Sequence, residues 1–527
     1  MTKLNHNHGR RSERGIALFI AIFTLLLITA IAAGMIMLTN TDTTISSNFR
    51  DEQTAFFGAK GGLEEVRDRL RVNAVDSSNV SISLNSLLPG GSTPSAAPPK
   101  PGQSGGIVYV TNPLNGETDT PWLISNNNYP DNEICVEMVS VNYGSAACNG
   151  NPIRPLPSST WYNTANASSF YAANPVLAWK WVRINIKTNQ TSSGTTTTST
   201  VDGSTTDYNQ LVCWNGNTEL TISSTYASCA LAGAALVPAQ NYMPVYVLTS
   251  LAVTPSGSRR MVQMDVATDV LPNIPGAVVM DGPSPVFGPG SSGAFSSTGF
   301  DTSSSTNSLR PQNGTTCPPP GNEPALGGYN AVSAANLTSS FTGPPDRSGN
   351  YLGSPANVAN VSTQLGSGGM NTVQGLDQLV STISASAIPA NTYTTAAALT
   401  NPGTTTNPVI NVVTGDLNIS NLTGAGILLV EGNLSFSGMP NYDGVILAIG
   451  KGNVSFSGGG TGTIDGALLV ANLYNSSNQL ITSGAPGVPT VSYSGAGNLT
   501  VQYDSCWVAA MNQMAPYKSL GIREMAY

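Results

Sequence analysis

Histidine is nearly missing from this sequence: His6 and His8 lie close to the N-terminus and none follows. Beyond that point no Ser-His-Asp or Cys-His nucleophile site and no HExxH zinc site can be assembled. Charge is scarce as well, at 9% of residues with a net of −8. Past the N-terminal leader clusters of Lys and Arg are minimal apart from Arg259 and Arg260, so the basic stripe that binds a phosphate backbone is lacking, and no nucleic-acid partner is expected. There is no CxxC pair, no GxxxxGK[ST] loop and no GxGxxG opening a helix. Neither a metal nor a phosphate-bearing cofactor is therefore expected. The stretch SGGGTGTIDG, ending near Asp465, approaches a calcium repeat only with its acid displaced and occurs once, which makes it turn chemistry first.

Long apolar runs are missing too, with one exception. Ile16 to Leu38, IALFIAIFTLLLITAIAAGMIML, contains no charged residue and follows Arg10, Arg11, Arg14 and Gly15. At about 1.5 Å per residue a helix of this length covers about 34 Å, enough for a hydrocarbon core of about 30 Å. The basic flank predicts a cytoplasmic N-terminus, an inner-membrane single pass and an exported bulk that lies in the periplasm or beyond. Three readings compete: a secretory signal peptide cut near Ala30, Ala32 or Ala33; a plain anchor; and a run that is retained after a cut in front of it. A polar patch, TNTDTTISSN, and then FRDEQTAFFGAKGGLEEVRDRLRV follow. Phe49, Phe56, Ala59, Leu63, Val66 and Leu70 recur there at helical spacing. Gly61 and Gly62 are expected to weaken or bend this amphipathic helix.

The leader RRSERG before IALFIAIF resembles the class III leader of prepilins. The run Asn48, Arg50, Asp51, Ala55, Phe56, Glu64 and Glu65 is similar to the NxRDxxxAFxAAExxLE stretch of PilX-type minor pilins, although Lys60, Gly61 and Gly62 replace the usual Ala-Glu region. The resemblance covers residues 10 to 70. It implies processing between Gly15 and Ile16 by a prepilin peptidase, and a helix whose residues, Ile16, Phe19, Ile20, Leu25 and Leu38 among them, pack in a membrane and then in a filament. The implied partners are other minor pilins, a major pilin, the inner-membrane assembly machinery, and a tip adhesin or surface ligand. Ile20 stands where filament-forming major pilins carry a Glu, so it cannot neutralise a neighbour's buried amine. That departure is shared with minor pilins and the tip pseudopilins of type II secretion. The function implied is a non-enzymatic subunit of a type IV pilus-like filament or its priming complex, finally located in the pilus or at the cell surface.

The remainder is turn-rich, with 55 Gly and 35 Pro, which suits an exported β protein. The predicted fold is α+β and mostly β. It comprises a leader (1–15), a long pilin-like N-terminal helix (16–72), a linker (73–105), an antiparallel sheet domain (106–282), a loop-rich region (283–408), β-solenoid-like repeats (409–510) and a tail (511–527). Alternation in WKWVRINIK and RMVQMDVAT, with PSGS before the latter, predicts a hairpin at Thr254 to Met261. VQGLDQLVSTI, from Val373 to Ile383, is the helical candidate of the loop-rich region. The repeat units are GDLNIS, GNLSFS, GNVSFS and GNLTVQ, each but the last followed by a more hydrophobic run; a solenoid coil and a meander of hairpins both fit.

The cysteines, Cys135, Cys148, Cys213, Cys229, Cys317 and Cys506, all follow the apolar run. Disulfides are expected in an exported chain. Proximity pairs Cys135 with Cys148 and Cys213 with Cys229, leaving Cys317 for Cys506. Carboxylate-only catalysis stays open through Asp416, Asp443, Asp465 and Asp504. Asp-Gly is ordinary turn chemistry, and no catalytic residue is assigned. The alternative function is a membrane-anchored adhesin, or a carbohydrate-binding or carbohydrate-active β-solenoid protein.

Overall fold

The computed structural model describes residues 13–71, 74, 82–88, 107–112, 120–121, 129–131, 133, 162–166, 179–189, 210–223, 225–226, 228–236, 242–269, 271–290, 295–304, 317 and 321–525. The first element among the described residues is α1 (Glu13–Arg69), one continuous helix. Its helical hydrogen bonding continues unbroken through Gly61 and Gly62. The reason lies in packing: a Cβ on Gly62 would sit 2.7 Å from Cγ of Trp179 and 3.0 Å from Oγ of Ser250. A missing side chain lets the helix close onto the sheet, and that burial outweighs a propensity cost of about 1 kcal/mol.

The first body follows as β1 (Ile107–Thr111), β2 (Tyr162–Asn166), β3 (Trp179–Ile186), β4 (Val212–Trp214), β5 (Glu219–Thr221), α2 (Cys229–Ala234), β6 (Met243–Pro244), β7 (Tyr246–Val253) and β8 (Arg259–Thr268). Strands β2-β1-β3-β7-β8 lie in one sheet, antiparallel except for the β1–β2 pair, and β5-β4-β6 form a small second sheet. The alternation seen in the sequence sorts the two faces. Val182, Ile184, Leu248, Val262 and Met264 meet Ala59, Leu63, Val66 and Leu70 of α1 in one core. Arg183, Thr249 and Gln263 are also buried and share hydrogen bonds, Gln263 and Arg183 both donating to Thr249 Oγ1. The expected hairpin joins β7 to β8, its turn closed by Thr254 N–H donating to Ser258 O at 2.9 Å. Of the expected linker, the described stretch at 82–88 buries Leu84 and Leu88 in the same core.

The second body comprises β9 (Val278–Asp281), β10 (Val286–Gly288), β11 (Phe295–Thr298), β12 (Leu326–Gly328), α3 (Ala331–Thr342), β13 (Tyr351–Leu352), β14 (Val358–Asn360), α4 (Ser362–Ser367), α5 (Val373–Ser386) and β15 (Thr392–Tyr393). It continues as β16 (Val409–Val413), β17 (Leu417–Ile419), β18 (Thr423–Val430), β19 (Leu434–Phe436), β20 (Asn441–Gly450), β21 (Asn453–Phe456), β22 (Thr461–Asn472), β23 (Thr490–Tyr493), β24 (Asn498–Tyr503) and α6 (Ser505–Met514). From β16 onward the chain alternates between two sheets, β16-β18-β20-β22-β24 and β17-β19-β21-β23. All pairs within them are parallel, so the repeats are not a meander of hairpins.

Residues 283–408, read from the sequence as loop-rich, add β10, β11 and β13 to these sheets and place three helices beside them. Their strands are too short to leave a periodic signal. The helix expected from Val373 forms as α5, with Thr372 Oγ1 accepting from Gly375 N–H. The last strand, β25 (Tyr517–Met525), returns to the first body and pairs antiparallel with β8, Tyr517 opposite Thr268. The expected C-terminal tail is therefore the end of α6 and an edge strand. The whole second body is inserted between two neighbouring strands of the helix-bearing sheet.

Candidate functional site

Residues 16–38 of α1 are exposed on every side, unlike the helix beyond residue 54. Ile16, Phe19, Ile20, Leu25 and Leu38 are each more than half exposed, Ile20 at 57%. This is the one helix among the described residues that is long and apolar enough to cross a membrane. Its few hydroxyls are satisfied within the helix: Thr24 Oγ1 donates to Ile20 O and Thr29 Oγ1 to Leu26 O, each at 2.9 Å. A hydroxyl that bonds its own backbone makes no demand on water, which suits an apolar medium. Ile20 offers no carboxylate, and no charged side chain lies between Ile16 and Leu38. Gly15 falls in the first turns of α1.

Docking onto the sheet begins at Ala55, which is fully buried. The base of the contact is pinned electrostatically, because Arg260 reaches Glu52 of α1 at 2.8 Å and Glu524 of β25 at 3.0 Å. The β7–β8 hairpin and the C-terminal strand thus both bear on the point where the helix leaves the protein. Deeper in, burial pushes Glu65 up to about 7, and Arg69 opposes that shift.

Two of the expected disulfides are present. Cys213 on β4 bonds Cys229 of α2, with Cα atoms 5.7 Å apart, and Cys317 bonds Cys506 of α6. The expected pair Cys135–Cys148 lies outside the described residues.

The four acids considered for catalysis separate. Asp416 accepts from the backbone N–H and Nδ2 of Asn433 at 2.7 and 3.1 Å, a turn role. Asp443 and Asp465 are register partners within strands, not turn residues. The glycine after each sits at φ +148° and +150°, and with Gly426 they form a ladder; a Cβ on Gly444 would lie 2.0 Å from Gly426 O. The Asp-Gly pairs mark a bend shared by adjacent strands, because only glycine fits that conformation at such close approach. Asp504 caps α6, accepting from Cys506 and Trp507 N–H. Thr302 Oγ1 donates to Asp465 Oδ1 at 2.8 Å, and Asp301 accepts from Ser505 and Gly321 N–H. Burial and the nearby Asp504 push Asp465 up to about 7 and Asp443 to about 6, and burial beside Asp301 lifts Glu323 to about 7. Asp465 is only 2% exposed and accepts from Thr302, whereas Asp443, Asp301 and Glu323 are half-buried. Among the described residues no group of His, Cys, Asp and Glu has the arrangement of a metal site.

Two arrangements left no trace in the sequence reading. Gly62 is a packing residue, which its spacing from Trp179 conceals. Lys187 contacts Glu219 and Asp265 together, partners 32 and 78 positions away that only the sheet brings close. No family model, no curated protein and no solved structure matches the chain.

Proposed function

We propose that the protein is a minor pilin or pseudopilin, a structural subunit whose apolar helix resides in the inner membrane and then packs in a type IV pilus-like filament or its priming complex. One observation carries this reading: a helix bare and apolar over residues 16–38 continues without interruption into a half docked on an antiparallel sheet. A signal peptide has no need to be continuous with a core helix, and a plain anchor has no need of rigidity across the membrane boundary. The class III leader resemblance, with Gly15 and Ile16 at the processing site, points the same way. In this reading the second body is a β-solenoid-like module. Its bulk would crowd neighbours along a shaft, so the subunit belongs at the tip, where Ile20 has no neighbouring amine to neutralise. The test is immunogold labelling of sheared filaments, with a Gly15 variant as the unprocessed control. Label at filament ends supports the tip; regular label along the shaft refutes it; no label on filaments assigns the subunit to priming.

A second reading, a surface protein that binds neutral glycans, is favoured by the outer face of the β17-β19-β21-β23 sheet. Asn418, Ser435, Ser455 and Ser492 stand there in one register row; Asn453 is paired with Thr490 in another, and Asn453 Nδ2 donates to Asn433 Oδ1 at 3.3 Å. Glycan-array binding by the purified chain in detergent tests it.

A further inference from the structure

Lys187 follows β3 at the seam between the large and small sheets. Its N–H donates to Val245 O at 2.7 Å and its carbonyl accepts from Val212 N–H at 3.1 Å, so its backbone is fixed on both sides. Its Nζ lies 2.6 Å from Glu219 Oε2 and 2.7 Å from Asp265 Oδ2. Asp265 is held on β8, between Val247 of β7 and Gly521 of β25. Glu219 sits on β5 opposite Trp214, and Trp214 packs with Val212, Val245, Ala267 and Leu520. All three charged side chains are largely buried, at 11%, 21% and 18% exposure for Lys187, Glu219 and Asp265.

Holding one ammonium between two carboxylates in such a place is costly, because each ion loses several kcal/mol of hydration. The strands nevertheless fix all three. A nitrogen bonded to a carboxylate oxygen at this distance lies about 3–3.5 Å from the carboxyl carbon, the range from which attack proceeds. We propose that Lys187 and Asp265 condense to an intramolecular isopeptide bond, with Glu219 carrying the protons. Glu219 first takes one proton from Nζ and passes it to Asp265, so that an amine with a free lone pair attacks Cγ of a neutral carboxylic acid; the N–C bond forms and one C–O bond breaks. Nζ gives up two of its three protons, both relayed by Glu219 to the departing oxygen, which leaves as water. An ammonium and a carboxylate become a neutral amide and water, with no oxidant, reductant or activating group needed. Asp265 is the electrophile because a central strand grips it, and Glu219, on a short strand and the more exposed acid, is placed to exchange protons. The product staples the end of β3 to β8 across β7. This inference is independent of any membrane or filament role.

Intact mass spectrometry of the full chain, purified in detergent and reduced, tests it. The expected mass is lower than the sequence mass of the same chain by one water, and digestion yields a branched peptide joining residues 187 and 265. Lys187→Arg keeps the cation and the fold but cannot form the amide, so it restores the full mass, as does Asp265→Ala. Glu219→Gln slows appearance of the link by about 100-fold or more, the lower end of what a positioned proton carrier contributes. Full mass in the unaltered chain overturns the proposal. So does water loss that persists in Lys187→Arg, or a branch to residue 219. Linkage at an unchanged rate in Glu219→Gln overturns the role given to Glu219.

Discussion

Gly61 and Gly62 are neighbours on one helix, yet alanine should act on them in opposite directions. At Gly61 a Cβ meets nothing within 4 Å. Glycine there contributes only backbone freedom, and Gly61→Ala should stabilise by about 0.5–1 kcal/mol. At Gly62 the same gain of about 1 kcal/mol is opposed by overpacking of about 1–3 kcal/mol or more. The upper part of that range applies, because the added carbon would lie 2.7 Å from Cγ and 2.9 Å from Cδ2 of Trp179, a fully buried ring with strands on either side. Net destabilisation by Gly62→Ala should be about 1–2 kcal/mol. For a body of this size that lowers Tm by about 2–8 °C, whereas Gly61→Ala raises it by about 1–4 °C. Intrinsic fluorescence of the detergent-solubilised chain during heating reads both, since Trp179 lies in this core and Trp181 in the cluster on the other face of the same sheet. Shifts of the same sign in the two variants would refute the claim that Gly62 is a contact and Gly61 is not.

Gly444→Ala should destabilise the second body by more than about 3 kcal/mol, combining a positive φ with a clash against Gly426 O; an unchanged melting profile would contradict the ladder. Joining Thr268 to Tyr517 through a two-residue turn, with residues 269–516 deleted, should leave the helix-bearing sheet folded, since the two ends are register partners; loss of its circular dichroism and Trp signal would refute the insertion topology. Stability of the second body should fall as pH rises. Asp465, Asp443 and Glu323 bind protons more tightly folded, at about 7, 6 and 7, than unfolded at about 4, so their contribution is complete below about pH 4 and lost through about pH 6–7. Asp465→Asn, which still accepts from Thr302, should flatten denaturant midpoints measured between pH 5 and 8; a midpoint that rises with pH would sink this account.

Much of the architecture was legible in local patterns. The apolar run and the spacing of Ala59, Leu63, Val66 and Leu70 marked α1 and its buried face, because a period of 3.6 survives in sequence. PSGS marked the β7–β8 turn, and the GNLSFS-type units marked strands whose inner residues stack in register, as Phe436 does on Phe456 at 5.0 Å. What was hidden depends on separation. β25 pairs with a strand some 250 positions earlier, and its half-exposed sequence looks like a tail. Residues 283–408 looked like loops because β10, β13 and β15 are two or three residues long and gain their order only as additions to existing sheets. Asp443-Gly444 and Asp465-Gly466 were read as turns because a bend inside a strand uses the same dipeptide. The triad at Lys187 had no local signature at all.

Mass determination of the N-terminus of the protein from native membranes tests the central claim most directly. Cleavage between Gly15 and Ile16 with retention of the apolar helix predicts a mature chain beginning at Ile16. A chain still carrying residues 1–15, or one beginning beyond Leu38, would contradict it.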